Sequence, residues 1–191
     1  MRVAIIIGSI REGRQSQKAA YFLQKKLVAR LIDTDIIDLA EYPLPFMEER
    51  ITLDPNPPVN ALLISEKLKT ADAIILVTPE YQGSFTGVLK NALDYFLPEF
   101  LKKPVGVATT AGGRMGGINA SVQLQHVILS MGAYALPQKL IVSEIQNAFD
   151  EDYNPKHELL AKQGEKFLDE FVWFAQAIVN AKQIKIQKEL I

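Results

Sequence analysis

Short apolar runs alternate with helical patterns along this chain, and three of the runs pass directly into loops of small, polar and glycine residues. The three runs are Val3–Ile7, Ala73–Val77 and Val105–Ala108. Runs this short and this apolar are typical of strands buried on both faces of a parallel sheet. Because parallel strands end at one edge of their sheet, the three loops are expected to meet there. Open α/β sheets bind ligands at that edge, beside the point where the strand order reverses.

The alternation predicts an α/β fold with a doubly wound, five-stranded parallel sheet and helices on both faces. Right-handed crossovers allow few arrangements of the strands, and the order 2-1-3-4-5 is common at this chain length. The predicted strands are Arg2–Ile7, Thr34–Leu39, Asp72–Val77, Pro104–Thr109 and, approximately, Lys139–Val142.

The segments between the predicted strands carry apolar residues at helical spacing. In the first segment they recur every four residues, at Ala19, Leu23, Leu27 and Leu31. Gly132 stands where the C-terminal cap of a later helix is expected. The last helix is predicted to begin near Asn154 and Pro155, an N-cap and a first-turn proline. Prolines between positions 42 and 58 predict a long irregular loop, and such loops are often functional.

The composition limits the class of protein. Of 191 residues, 48% are hydrophobic and 23% are charged, and no repeat or boundary divides the chain, so residues 1–191 are expected to form a single domain. The formal net charge of −1 gives no bias toward nucleic acid or toward anionic membranes. The absence of cysteine excludes disulfides and thiol nucleophiles. No apolar run is long enough for a signal peptide or a membrane span, so a cytoplasmic protein is expected.

The first loop, from Gly8 to Ser16, is predicted to bind phosphate. A helical pattern begins where this loop ends, and a helix N-terminus offers free N–H groups and a partial positive charge. Ser9 and Ser16 add hydroxyl groups, while Arg11 and Arg14 add charge and forked donors. The loop matches neither the P-loop nor the Gly-x-Gly-x-x-Gly dinucleotide motif. The alternative is a tight strand-to-helix turn that carries surface arginines.

The second loop, Pro79 to Ser84, combines a rigid residue, a carboxylate, an aromatic ring and a glycine. Gly83 would let the backbone lie close to a flat ligand, and Tyr81 could cover an aromatic ring. The alternative is that Tyr81 covers the end of the sheet and Pro79 merely ends the strand. This loop alone favours neither interpretation.

The third loop contains two glycine pairs, Gly112-Gly113 and Gly116-Gly117, on either side of Arg114 and Met115. Paired glycines permit backbone conformations in which N–H groups point at a ligand. Such donors suit the oxygen-rich edge of a heterocycle or a second phosphate. Flexible hinge glycines are the alternative.

Together the three loops resemble the motifs of the NADPH-dependent FMN reductase family. The motifs are Gly-Ser-x-Arg after the first strand, Pro-Glu-Tyr-x-Gly-Ser after the third and Gly-Gly-x-x-Gly-Gly after the fourth, within a match of about residues 2–142. This flavodoxin-like family includes small quinone, azo-dye and chromate reductases. The resemblance implies a flavodoxin-like fold, FMN as cofactor and NADPH or NADH as co-substrate.

The resemblance also implies which residues bind FMN. Those expected to hold the ribityl phosphate are Ser9, Arg11, Ser16 and Gln17. Those expected to run along the isoalloxazine ring are Pro79, Glu80, Tyr81, Gln82 and Gly83. Those expected at its pyrimidine edge are Thr110, Gly112 and Gly113. Many relatives carry asparagine at the position of Gln82, so this chain departs from the family pattern there.

The implied function is an NAD(P)H-dependent flavin oxidoreductase that passes electrons to a small-molecule acceptor: a quinone, an azo compound, a metal oxyanion or free flavin. The flavin carries the reaction, so no catalytic acid or base is required, and the sequence offers no such residue and no metal constellation. Members of the family form homodimers, so a homodimer is expected here, and the sequence leaves open whether two dimers pair.

Two other functions use the same fold. A flavodoxin-type electron carrier has no substrate of its own, but such carriers are usually strongly acidic, and a net charge of −1 argues against one. A phosphatase or nucleotide hydrolase would need a nucleophile or metal-binding carboxylates at the strand ends, and the sequence shows none.

Overall fold

In a computed structural model, which describes residues 1–189, the chain forms a five-stranded parallel sheet. The strands are β1 (Arg2–Ile7), β2 (Asp33–Asp38), β3 (Ala73–Pro79), β4 (Pro104–Thr110) and β5 (Tyr134–Val142). Their order is β2-β1-β3-β4-β5, and every neighbouring pair is parallel. The predicted fold class and strand order are therefore confirmed.

Helices cover both faces of the sheet, as predicted. They are α1 (Gln17–Ala29), α2 (Val59–Thr70), α3 (Gly87–Tyr95), α4 (Ile118–Ser130), α5 (Ile145–Ala148) and α6 (Glu158–Glu189). One core packs α1 and α6 on the sheet, and the other packs α2, α3 and α4. Strand β1 serves both cores, because Val3 and Ile5 face the first while Ala4 and Ile6 face the second. This explains why the run is apolar at every position.

The first helix ends earlier than its apolar spacing predicts. It stops at Ala29, and Leu31 is 96% exposed with a φ of 60° instead of lying on the buried face. The N–H of Ile32 donates to the Leu27 carbonyl at 3.1 Å, the hydrogen bond of a Schellman ending. Ile32 therefore packs against the core, where the periodicity predicted Leu31.

The C-terminal third also differs from the prediction. Helix α6 begins at Glu158, and Asn154 does not cap it. The Oδ1 of Asn154 accepts from the Lys25 ammonium at 2.8 Å, and its backbone N–H and side-chain amide donate to Asp150. Pro155 instead pairs with Phe149 in an isolated bridge. Strand β5 is longer than predicted, and a register shift opposite Val105 and Val107 accommodates Pro137 on this edge strand.

The proline-rich segment between β2 and α2 contains no helix or strand, as predicted. Asn91 on α3 fixes it twice, because its side-chain amide donates to the Pro45 carbonyl at 2.7 Å and accepts from the Met47 N–H at 2.9 Å. At the centre of this anchored stretch the side chain of Phe46 is 89% exposed. Elsewhere Gly132 has a φ of 70° just past the end of α4, which agrees with its predicted capping role. Across the described residues, no helix is long and apolar enough to cross a membrane.

The strand order reverses at β1, which lies between β2 and β3, so a crevice opens at the carboxyl end of β1. Gly8 begins the first loop there, and its N–H donates to the Val77 carbonyl at 2.8 Å. A Cβ at position 8 would lie 2.9 Å from the side chain of Leu89, so only glycine fits against α3. The hydroxyl of Thr86 donates to the Gly8 carbonyl and also caps α3. The fold thus places the first loop directly beside the crevice.

Candidate functional site

The three loops meet at the carboxyl edge of β1, β3 and β4 and enclose a cleft of about 310 Å³. A volume of about 300 Å³ lies at the lower end of the range for small-molecule sites. The predicted residues that line this cleft are Arg11, Ser16, Pro79, Glu80, Tyr81, Thr110 and Gly112. The remaining predicted residues do not line it; they are Ser9, Gln17, Gln82, Gly83 and Gly113.

In the first loop, the two arginines lie in different environments. Arg14 makes a bidentate ion pair with the buried carboxylate of Asp38, with both contacts at 2.5 Å, and it also donates to the Ser9 carbonyl. The hydrogen bonds that Arg14 donates to Asp38 raise the pKa of Arg14 above its ordinary value. Burial, together with the nearby Asp38 charge, raises the pKa of Tyr21 on α1. Most of the donor capacity of Arg14 therefore holds the loop in shape.

Arg11 and Ser16 carry the side-chain hydrogen-bond donors of the first loop that are not used to hold its shape. The side chain of Arg11 is exposed at the rim of the cleft. Ser16 stands at the N-terminus of α1, and its hydroxyl is buried with no hydrogen-bond partner in the described part of the chain. Burying an unpaired hydroxyl costs free energy, which a hydrogen bond to a ligand would recover. This end of the cleft has a free cation, a free hydroxyl and a helix N-terminus, a combination that suits phosphate.

Ser9 and Gln17 lie behind the cleft surface. Ser9 is 1% exposed, and its hydroxyl lies 3.2 Å from the phenol oxygen of Tyr81, which links the first loop to the second. The side-chain oxygen of Gln17 is buried and, within residues 1–189, unpaired. Ser9 is therefore connected to the cleft through Tyr81, which lines it.

In the second loop, Glu80 turns its carboxylate toward α4. The capping residue of α4 is Gly117, which has no side chain to accept hydrogen bonds. Glu80 supplies the missing cap, because it accepts from the N–H of Ala120 at 3.0 Å and from the side-chain amide of Asn119 at 3.3 Å. Its own backbone N–H donates to the Thr110 carbonyl at 2.9 Å. Glu80 thus joins the second loop to the third loop and to α4.

The third loop is fixed at its ends and open in the middle. The N–H of Ala111 donates to the Val142 carbonyl at 3.1 Å, and a Cβ at Gly116 would lie 2.5 Å from Ile141. The hydroxyl of Thr110 is buried and, like that of Ser16, unpaired among the described residues. Thr110 and Gly112 both line the cleft. They offer hydrogen bonds to a second polar part of a ligand.

Helix α5 contributes residues that sequence reasoning missed. Ile145 and Gln146 line the cleft, and the N–H of Ile145 donates to the Ala111 carbonyl at 3.1 Å. The amide of Gln146 donates to the Gly112 carbonyl at 3.3 Å. A helix of four residues carries no periodic signal, so nothing in the sequence pointed to it. Gly13, Gln15 and Ala111 complete the lining alongside Arg14.

These groups fit FMN. The ligand that satisfies them has an anionic group at the Ser16 end and a polar ring edge beside Thr110. FMN has one phosphate and one planar heterocycle. Ser16 and Thr110, which line the cleft, carry buried hydroxyls with no partner among the described residues, and a protein seldom keeps such groups unpaired. Thr109 and Glu99, outside the lining, each carry one such oxygen as well.

The comparisons with known proteins agree. The family model of the NADPH-dependent FMN reductases matches residues 1–147. An FMN-dependent NADPH-azoreductase from Staphylococcus aureus is 34% identical over 158 residues, which are 80% of this chain and 82% of that protein. Among solved structures, FerB, a flavoenzyme NAD(P)H:(acceptor) oxidoreductase from Paracoccus denitrificans, is similar with a TM-score of 0.78 at 27% identity, over 92% of this chain and 97% of that one. A flavodoxin from the domain Archaea shares the fold, with a TM-score of 0.61 at 13% identity over 93% of this chain and 99% of that one.

Proposed function

The chain belongs to the NADPH-dependent FMN reductase family, and we propose that it is a flavin oxidoreductase that moves electrons from NADPH or NADH to a small-molecule acceptor through FMN held in the cleft. The observation that carries the proposal is the pair of buried, unpaired hydroxyls of Ser16 and Thr110 in a cleft built by three family motifs. An azo compound is the first acceptor to test, because the Staphylococcus aureus relative is named an azoreductase.

Each loop has its own task in this proposal. Arg11 and Ser16, with the N-terminus of α1, hold the phosphate, and Ser9 and Gln17 support that end. The backbone of residues 79–83 runs along the isoalloxazine ring. The residues at the pyrimidine edge are Thr110, Gly112 and Gly113.

Bound FMN supplies the redox chemistry, since it accepts a hydride from a nicotinamide and releases electrons to an acceptor. The residues of this chain bind and orient the ring and limit the access of water. The Glu80 carboxylate already accepts two hydrogen bonds from the start of α4, so we assign it no role as a catalytic acid or base.

The proposal is tested by adding FMN to the purified protein and measuring the quenching of flavin fluorescence. We expect saturable binding, followed by NADPH oxidation once an azo dye or a quinone is added. A protein that leaves the fluorescence of FMN unchanged would falsify the proposal. Binding of FMN without oxidation of NADPH or NADH would instead identify an electron carrier of the flavodoxin type.

We also propose that the protein is a homodimer and that it is located in the cytoplasm. The absence of cysteine suits a reducing compartment. The fixed loop that presents Phe46, 89% exposed, offers apolar surface for a second copy to cover. Light scattering behind a size-exclusion column should give twice the mass of the chain, and Phe46→Ser should shift the equilibrium toward monomer. A monomeric wild-type protein at micromolar concentration contradicts the dimer.

A further inference from the structure

We propose that Gln123 of α4 is a positioning residue that holds the Tyr81–Ser84 turn in the conformation in which it faces FMN. The inference rests on the proposed function, since this turn belongs to the segment assigned to the isoalloxazine ring. Gln123 is exposed on the helix and does not line the cleft, so it would act through the turn alone.

The turn has a conformation that needs support. Tyr81 and Ser84 exchange two backbone hydrogen bonds, of 2.8 and 3.0 Å, and the residues between them have positive φ, 52° at Gln82 and 76° at Gly83. This is the pattern of a type I′ hairpin turn. Glutamine is a poor residue for the left-handed region, and an isolated two-stranded hairpin is at best marginally stable. Local sequence alone therefore does not hold the turn.

Gln123 supplies the support with both ends of its amide. Its Nε2 donates to the Gly83 carbonyl at 2.7 Å, and its Oε1 accepts from the Ser84 hydroxyl at 2.8 Å. The N–H of Ser84 is already bonded to the Tyr81 carbonyl, so the peptide between Gly83 and Ser84 is fixed on both sides. The N–H groups of Gln82 and Gly83 have no acceptor within residues 1–189, and although neither residue lines the cleft, both directly follow Tyr81, which does.

The same helix also fixes the start of the loop. Glu80 accepts from Asn119 and Ala120, one turn before Gln123 on α4. The loop from Glu80 to Ser84 is therefore attached to α4 at both ends, and the third loop leads directly into that helix. Helix α4 thus sets the position of the second loop relative to the third, which a single planar ligand across both loops requires.

A mobile turn would have to be ordered each time FMN binds, and that ordering would weaken affinity. It would also alter the hydrogen bonds offered to the ring, and such bonds tune the reduction potential of a flavin. Because Gln123 is exposed, its loss should affect the turn far more than global stability.

The test compares Gln123→Ala with Gln125→Ala. Gln125 is a matched control, because it lies on the same helix and also donates to a backbone carbonyl, that of Leu136 at 2.7 Å on β5. In the FMN-free protein, we expect the N–H groups of Tyr81 and Ser84 to exchange with solvent faster in Gln123→Ala only. In the FMN complex, we expect about tenfold weaker binding, the size expected for the loss of two hydrogen bonds, and a shifted midpoint potential. Gln123→Glu retains the acceptor for Ser84 but not the donor to Gly83, so it should show the same changes.

The inference is overturned if Gln123→Ala and Gln125→Ala give the same exchange rates, or if exchange alone changes while FMN affinity and potential stay at wild-type values. In both cases FMN binding by the wild-type protein leaves the proposed function standing. A wild-type protein that binds no FMN overturns the proposed function and, with it, the ligand-facing role of the turn.

Discussion

The first and second loops border the same cleft, but they are stabilised in different ways. In the first loop, an ion pair between Arg14 and Asp38 holds the shape, while the Ser16 hydroxyl has no partner in the part of the chain that the structure describes. In the second loop, the Glu80 carboxylate is bonded to the start of α4, and the Gly83 carbonyl is bonded further along the same helix. The first loop retains donors for a ligand, whereas the second uses its side chains to fix its backbone.

The difference shows how a site of this kind can be recognised. An unpaired buried hydroxyl costs free energy, so it persists where a ligand will satisfy it. A carboxylate beside an anionic ligand would repel it, and capping α4 gives Glu80 a structural use instead. In the proposed function, the loop assigned to the phosphate is thus distinguished by its unbonded groups, and the loop assigned to the ring by the hydrogen bonds that fix its backbone.

Asp38→Ala should have the largest effect, because it removes the group that holds the first loop. It leaves the Arg14 guanidinium without its partner, and breaking such a pair should lower the free energy of unfolding by about 3 kcal/mol in a urea titration. Asp33→Ala, an exposed carboxylate at the other end of β2, should change it by less than about 0.5 kcal/mol. Equal stabilities of the two variants would show that the pair does not hold the loop.

Arg11→Ala should separate binding from folding. We expect FMN to bind about 30-fold more weakly, the size of a lost hydrogen bond between charged groups, while the urea midpoint stays at the wild-type value. Arg50→Ala, an exposed arginine beside α3 and α4, should change neither quantity. Parallel losses of affinity and stability in Arg11→Ala would identify a structural arginine and would remove the contrast with Arg14.

Ser16→Ala tests the unpaired hydroxyl itself. Binding of FMN should weaken by about fivefold, while stability should not fall, because no hydrogen bond within the described chain is lost. Ser121 is the matched control: it is equally buried, but its hydroxyl donates to the Ile118 carbonyl at 2.6 Å. Ser121→Ala should lower stability and leave FMN affinity unchanged. The reverse pattern would contradict the assignment of Ser16 to the phosphate.

Gln82→Asn should have the smallest effect, and it acts on the second loop. Asparagine tolerates the left-handed region better than glutamine, so the free energy of unfolding should rise by about 0.5 kcal/mol. Leu31→Asn provides a comparison, since Leu31 has a φ of 60° at the end of α1 and is far from the second loop in the chain. A similar gain at both positions, with FMN affinity changed only by Gln82→Asn, would agree with a ligand-facing turn. A loss of stability at Gln82 would show that its side chain has a contact of its own.

The apolar runs predicted most of the fold because their signal is local. Strands β1, β3 and β4 lie where the runs lie, and their order follows from the handedness of the crossovers. The predictions were wrong at helix ends, where particular hydrogen bonds decided the boundary and not the apolar spacing. At the Schellman ending of α1, Ile32 packs against the core in place of Leu31. Asn154 donates to Asp150 instead of capping α6. The short helix α5 has too few residues to give a pattern.

The sequence predicted which loops form the candidate site, but not which hydrogen bonds and ion pairs hold those loops. By composition and position Arg11 and Arg14 are equivalent arginines of one loop, and only the family resemblance singled out Arg11 for the phosphate. They differ in the structure because Asp38, 24 residues beyond Arg14, ends the strand beside β1 and, of the two arginines, accepts hydrogen bonds from Arg14. Gln123 gave no signal at all, since a polar residue on an exposed helix face is ordinary.

The sequence by itself determined that this chain folds into a parallel α/β sheet whose loops gather at one edge, because apolar periodicity and glycine-rich turns act over a few residues. The tertiary structure decided which polar groups bond to the protein and which stay free for a ligand. Those choices depend on partners such as Gln123 and Gly83, 40 residues apart, that packing alone brings to hydrogen-bond distance.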